Sequence, residues 1–430
     1  MCLIKVLVNA YACCPDMGSE QGMAWKWISN LAKYCELYVI TEDEYHEQNE
    51  NTIKNFPWGK NIHFYYIPVP DKVRRMCWNQ GDWRFYIHYA RWQKKAMYKA
   101  RQIIDSVQID VMHQLNMAGF REPGMLYKIN EERIQEGKKR IPLIWGPIAG
   151  YGTIPLSFMK QGGIGFIFFY LLKNFMNLVQ MKWHPRVRKM TKSSDALLAC
   201  MPEIQDALMR FHGMNSFLVN ETGCDVHESN DNTSKTFFKN GKFRILWVGR
   251  FMFTKQLPLA LRVISEIRDI DGLEFHVVGK GFNDKETENA HRFAQDLGID
   301  DICRWHGQIP NKEVHQLMRE SDIFFFTSIF EATSTVILEA IGNNLPVVCF
   351  NRCGFGPIID ERIGRKISCS TPRQAISDFS EVIRNLYQNK EILPSMSNNC
   401  SGIQQELNWH MKIEKMISIY RNFINKNNGE

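Results

Sequence analysis

The chain has no uninterrupted apolar run of the ~20 residues that a bilayer span requires. Its longest, "IGFIFFYLL" at 164–172, is too short to cross, so a spanning helix is not expected. The opening "MCLIKVLVNAY" lacks a charged n-region, an apolar core and a cleavage site, so no secretory leader is expected and a cytoplasmic location follows. Organised cysteine spacing is missing as well. Twelve cysteines scatter singly through 430 residues, apart from Cys13-Cys14 and Cys349/Cys353, and neither pair has a matching His cluster. That excludes a disulfide scaffold, predicts no metal site and leaves buried, reduced thiols. Short-period repeats and low-complexity tracts are absent. A last absence is local: residues 160–192 contain no acid at all.

What is present is a folded profile, 44% hydrophobic and 23% charged, in a chain long enough for two domains. The first half alternates strands and helices. "IKVLVNAY" is an apolar strand, a polar Gly-rich turn follows, and "MAWKWISNLAKY" has apolar residues at helical spacing. "ELYVIT", "IHFYYIPV", "DVMHQL", "PLIWGPIAG" and "DALLAC" read as further strands, with a basic-aromatic helix over roughly 82–107. Residues 220–242 are polar and aperiodic, as a linker is. The rhythm then restarts from "FRILWVGR" and runs to "PVVCF". The expected fold is α/β, with two Rossmann-like doubly wound domains facing a central cleft and ligand outside the carboxyl ends of the strands. The domains are expected at 1–222 and 223–404, with a final helix over 405–430 that would cross back to the first.

Three stretches of the second domain end strands in ligand-like chemistry. "LWVGRFMFTK" gives Gly249, Arg250 and Lys255; two cations there suit a diphosphate, since Arg forks two oxygens and Lys adds a compact charge. "VVGKGF" supplies Gly279 and Gly281, where backbone would approach a planar base. "FEATSTVILEA" carries Glu331 and Glu339. On one helix they would be roughly 80° apart, so Glu331 is placed in a loop and Glu339 in the second turn of a helix beginning near Ser334. Thr333, Ser334 and Thr335 are cap candidates, and the free N–H groups at 334–336, including Val336, would take an anion. Glu339 suits ribose hydroxyls and Glu331 the hydroxyls of a sugar. Together these groups describe a nucleoside diphosphate sugar, a donor substrate of the UDP- or GDP-sugar type. With no Asp-x-Asp motif in a donor-binding position, no metal and no further cofactor are expected.

"VGRFMFTK" followed by "FEATSTVILEAIGNNLPVV" resembles the retaining glycosyltransferases of family four, which have the GT-B fold. Their signature is an Arg, a Lys five residues later, and two Glu with seven residues between, matched at Arg250, Lys255, Glu331 and Glu339. "NETGCD", "YACCPDMGSEQGMAWKW", "HQLNMAGFREPG" and "PLIWGPIAGYG" extend the resemblance to a polysaccharide-assembly branch. The chain departs from the family's pattern where Asn343-Asn344 replaces a small residue and Gly.

The resemblance implies transfer of a sugar, with retention, to a hydroxyl of a growing, lipid-linked cell-surface glycan. It implies that the first domain receives the acceptor. Gly18 would lie near the donor phosphates, and Ser19 would cap the next helix. Glu20 would bind acceptor hydroxyls or simply favour the positive end of that helix. His113 would contact the donor sugar or help as acid or base; the other reading is a structural histidine bonded to backbone. Arg121 and Glu122 are acceptor or loop-fixing residues. Two other functions stand on the same fold, a nucleotide-sugar epimerase and a non-catalytic nucleotide-sugar-binding subunit. The basic-aromatic segments, above all 160–192, suit a helix at an anionic membrane surface on the inner face of the cell membrane. Nothing resembles a nucleic-acid-binding module, so no nucleic-acid partner is expected.

Overall fold

A computed structural model describes residues 3–78, 82–117, 119–224, 235–332 and 335–429, and the chain divides into two units. The first holds seven parallel strands: β1 (Ile4–Ala10), β2 (Cys35–Glu42), β3 (Ile62–Ile67), β4 (Val111–Asn116), β5 (Leu143–Ile148), β6 (Ala196–Ala199) and β7 (Phe217–Leu218). Their order is β3-β2-β1-β4-β5-β6-β7. The order reverses direction between β1 and β4, the switch point of a doubly wound sheet. The central strands are near-continuous apolar runs because helices cover both faces. Val6, Val8, Trp27, Leu37, Val111 and Ile144 are fully buried together in this core.

The second unit has six parallel strands: β8 (Phe243–Val248), β9 (Leu273–Val278), β10 (Cys303–Gly307), β11 (Ile323–Phe326), β12 (Val347–Phe350) and β13 (Gly364–Ile367). Their order is β10-β9-β8-β11-β12-β13, with the switch point between β8 and β11. Phe243, Ile245, Phe325, Val348, Phe350 and Phe379 form part of its core.

The unit boundaries differ from the sequence expectation in two places. Residues 153–174 belong to the second unit. The reason is packing: Ile154, Phe158 and Met159 lie in the second core, and Ser157 Oγ donates to Ser370 O at 2.7 Å. The final helix begins at Trp409 rather than 405 and belongs to the first unit. Trp409, Ile413, Met416 and Tyr420 are buried in the first core, and Lys412 Nζ donates to Asn220 O at 2.6 Å.

The apolar segment also departs from expectation. "IGFIFFYLL" is the start of a longer helix, Gly163–Trp183. The helical run Leu156–Trp183 is long and apolar enough to cross a membrane by length and composition, the single such run among the described residues. The uninterrupted apolar run ends at Leu172, but the helix continues through Lys173 and Asn174, within the 160–192 segment expected to be helical. Ile167 and Tyr170 pack against the second core, and two asparagines also bond to the protein. Asn174 exchanges hydrogen bonds with the backbone of Ile154, and Asn177 Nδ2 donates to Gly152 O at 2.9 Å. Exposed apolar side chains include Ile164 (87% exposed), Phe168 (68%), Phe169, Leu171, Leu172, Phe175 and Met176. Their spacing of three or four residues makes one stripe.

Candidate functional site

In the second unit the loops after β8, β9, β11 and β12 are stitched to one another at the carboxyl end of the sheet. Gly249 N–H donates to Val278 O at 3.0 Å, and Phe251 N–H to Lys280 O at 3.0 Å. Ile329 N–H donates to Thr254 O at 2.8 Å, and Gly354 N–H to Ala332 O at 3.0 Å. Thr327 is the hub. Its hydroxyl donates to Lys255 O at 2.8 Å and accepts from Trp247 Nε1 at 3.0 Å. Such cross-loop bonds satisfy backbone groups that the strands leave unpaired and fix the loops against one another. The glycines make this approach possible. A Cβ on Gly279, whose φ is +129°, would lie 1.9 Å from Gly249 O, and one on Gly281 would lie 2.5 Å from Glu286 Cβ.

On this frame the ammonium of Lys255 is ion-paired with Glu331 Oε1. That oxygen also accepts Ser328 Oγ at 3.0 Å, and Glu331 N–H approaches Cys353 Sγ at 3.4 Å. Lys255 Nζ stands 5.3 Å from the centre of the Phe326 ring. Arg250 is exposed, with its guanidinium carbon 5.1 Å from the centre of the Phe282 ring. Glu331 is in a loop. Glu339 is the fifth residue of the helix Thr335–Gly342 and is partly buried in its second turn. Thr335 is exposed and Val336 half-buried in the first turn. Thr333 and Ser334 lie outside the described residues. The structure thus joins Lys255 to Glu331 directly and sets Arg250 and the Gly279–Gly281 loop on the same strand ends.

Asn343-Asn344 has a local explanation. Asn344 takes φ +54° after the helix, while Leu345 N–H bonds back to Ala340 O at 3.0 Å. Asn is the residue after Gly best suited to that left-handed position. Asn343 is tied to Arg319, His315 and Glu339 O. The substitution reshapes a helix end and leaves every charged group of the motif in place.

In the first unit two expected site residues change meaning. His113 on β4 is fully buried. Tyr420 Oη donates to its Nδ1 at 2.6 Å, and its Nε2–H donates to Gly146 O at 2.7 Å. Burial pushes its pKa down to about 4. With both nitrogens occupied and the ring neutral, His113 is a structural histidine, not an acid, a base or a sugar contact. Arg121 is a loop-fixing residue: Nε donates to Gln180 Oε1 at 2.5 Å and Nη2 to Asn177 Oδ1. The helix Gly163–Trp183 thereby holds its guanidinium, which leaves the acceptor role without its main donors. The tight glycine of "MGSEQG" is Gly22, where a Cβ would lie 1.8 Å from Met17 O; Gly18 is exposed at the N-cap with an ordinary φ of −86°. Ser19 lies outside the described side chains. Glu20, in the first helical turn, is half-buried.

Glu122 emerges as the unusual acid of this unit. It is buried, its Oε1 has no hydrogen-bond partner, and burial pushes its pKa up to about 8 against the opposing pull of Arg121. Among the described residues no group of three or more His, Cys, Asp or Glu gathers as a metal would need.

Residues 228–401 match the family model described as glycosyl transferases group 1. A yeast relative, the phosphatidylinositol N-acetylglucosaminyltransferase GPI3 subunit of Saccharomyces cerevisiae (strain YJM789), is 23% identical over 216 residues, 48% of this chain and 45% of that protein. The chain thus spans about half the length of the curated relatives it matches. Among solved structures, the lipopolysaccharide outer core galactosyltransferase WaaB in its apo form superposes with a TM-score of 0.61 at 16% identity, covering 96% of this chain and 99% of that one. Anabaena Alr3699/HepE in complex with UDP gives 0.62 at 12%, covering 98% and 100%. These neighbours place the two sheets in the GT-B fold.

Proposed function

We propose, on the premise that residues 228–401 are a glycosyl transferases group 1 domain, that this protein moves a sugar from a nucleoside diphosphate to a hydroxyl of a growing glycan in cell-surface polysaccharide synthesis. The carrying observation is the Lys255–Glu331 ion pair at the switch point of the six-stranded sheet, with Arg250 on the same strand-end loop as Lys255. Arg250 and Lys255 hold the diphosphate, and the first turn at 335–336 adds its N–H dipoles. Glu331 and Glu339 receive hydrogen bonds from sugar and ribose hydroxyls. In the transfer, the bond from the anomeric carbon to the phosphate oxygen breaks. The bond to the acceptor oxygen forms on the same face, so configuration is retained. The acceptor's proton passes to the departing diphosphate. Fixed cations aimed at that oxygen supply the main rate term without a metal. The match to group 1 and the UDP in the HepE neighbour support this reading.

The acceptor we propose is lipid-linked and met at an anionic membrane surface on the cytoplasmic side. The helix Gly163–Trp183 supports that partner: it exposes an apolar stripe, and Lys160, Lys173, Lys182, Arg188, Lys189 and Lys192 on it and in its flanks are exposed.

The test is a panel of UDP-, GDP- and ADP-sugars, read by thermal stabilisation and by release of nucleoside diphosphate. One or more donors should raise the melting point, and Arg250→Ala and Glu331→Ala should abolish release. Folded variants that keep full rate would overturn the assignment. A changed sugar nucleotide without acceptor would point to an epimerase, and binding without release to a non-catalytic subunit.

A further inference from the structure

Phe282 is 62% exposed, and it is the sole exposed large apolar side chain among the described residues from 235 to 408. A single exposed apolar side chain on a surface is ordinary. This one is set apart by its position and by the rigidity of its backbone. It follows Gly281 in the loop after β9, at the same strand ends as Arg250 and Lys255. Its N–H donates to Glu286 Oε2 at 2.8 Å, Gly281 N–H to Thr287 Oγ1 at 3.0 Å, and Glu286 N–H to Asn283 Oδ1 at 3.0 Å. The last bond caps the helix Asp284–Asp296. The loop is therefore pinned at three points, while the ring it carries remains largely in water.

Arg250 lies over that ring, its guanidinium carbon 5.1 Å from the centroid. A planar cation beside an aromatic face leaves the rest of the ring free to accept a second planar group.

We propose that Phe282 is the stacking platform for the planar base of the nucleoside diphosphate, with Arg250 reaching from the ring edge to the phosphates. Stacking is tolerant of base identity because every base has a π-face. Phe282 thus supplies affinity for the nucleoside and leaves the choice of base to hydrogen-bonding groups elsewhere. This deepens the donor-binding reading above and rests on it.

The test uses the full chain and measures Kd by calorimetry for UDP, GDP, UDP-glucose and inorganic pyrophosphate in wild type, Phe282→Ala and Phe282→Trp. The exposed site lets both variants fold, which their melting points check. For the nucleotide that wild type binds better, Phe282→Ala should weaken binding roughly 5- to 150-fold, the loss of one base stack. Pyrophosphate binding should be unchanged, and Phe282→Trp should stay within about threefold of wild type. Unaltered nucleotide affinity in Phe282→Ala overturns the proposal. So does an equal loss of pyrophosphate, which would assign Phe282 to holding Arg250. A loss seen only with sugar-bearing donors overturns it too, since the sugar and not the base would then stack. Wild type binding neither nucleotide would sink the donor-binding reading itself, a result distinct from the other three.

Discussion

Lys255 and Glu331 are ion-paired across two loops that follow different strands, and Ser328 Oγ completes the carboxylate oxygen they share at 3.0 Å. Each residue therefore sets the other's position. Lys255→Ala is expected to lower kcat/KM for the donor by about 100-fold or more, the usual cost of losing a charge aimed at the leaving group. Glu331→Gln keeps the shape, frees the lysine and should also lower kcat. Because the two act as a unit, the double variant should lose less than the product of the single losses. Nucleoside diphosphate release under single-turnover conditions reads all three. Strict multiplicativity would show that the pair has no functional coupling.

Glu122 predicts an unusual pH dependence for the first unit. Its carboxyl is pushed up to about 8 by burial, while in the unfolded chain it ionises near 4.3. Below about pH 4 both states are protonated and nothing changes. Between roughly pH 4.5 and 8 the folded state keeps a proton that the unfolded state releases, so stability falls as pH rises through that window. Glu122→Gln keeps the shape and removes the titration. Its melting point relative to wild type should be little changed at pH 5 and higher by roughly 10 °C at pH 8, since about three pH units of one-proton linkage amount to roughly 4 kcal/mol. A constant difference across pH would contradict the assignment.

Much of this arrangement is legible in the sequence because parallel strands covered on both faces are short apolar runs, and "IKVLVNA", "FRILWV" and "VVCF" stand out as such. The motif at Arg250, Lys255, Glu331 and Glu339 is legible because each residue follows a strand or begins a helix whose own pattern is clear. Long-range partners are not. The role of His113 depends on Tyr420, 307 residues away, and that of Arg121 on Gln180 and Asn177. No local pattern encodes either. Residues 153–174 were misassigned for a similar reason: Phe158 and Met159 are apolar in a way that suits either core. Phe282 does not stand out in the sequence, because "KGFND" reads as an ordinary turn and only the exposure of its ring separates it from core phenylalanines.

The buried His113 yields a stability effect without a catalytic one. Tyr420→Phe removes the hydroxyl that donates to Nδ1 at 2.6 Å and leaves a buried acceptor unsatisfied. The expected cost is about 1–3 kcal/mol of folding stability. Turnover per folded molecule should be retained, because both groups are buried within the core of the first unit. Denaturant unfolding alongside donor turnover distinguishes this from a catalytic role, for which the rate would fall with stability unchanged.

The helix Gly163–Trp183 makes a prediction that needs no substrate. Asn174 bonds to Ile154 and Asn177 to Gly152, while the apolar stripe is exposed. Full burial of a Phe side chain contributes about 1.5–3 kcal/mol. Phe168→Ser with Phe175→Ser, both on the stripe, should therefore weaken co-sedimentation with phosphatidylglycerol-containing vesicles by at least about tenfold, even with partial insertion. Lys182→Ala with Lys189→Ala should weaken it less, and mainly at low salt, because headgroup attraction is screened beyond about 10 Å at 0.1 M. Vesicles of phosphatidylcholine alone should bind weakly and with little salt dependence. The two substitution classes thus separate the apolar and ionic contributions. Equal partitioning of wild type and the Phe variant would show that the stripe does not enter lipid.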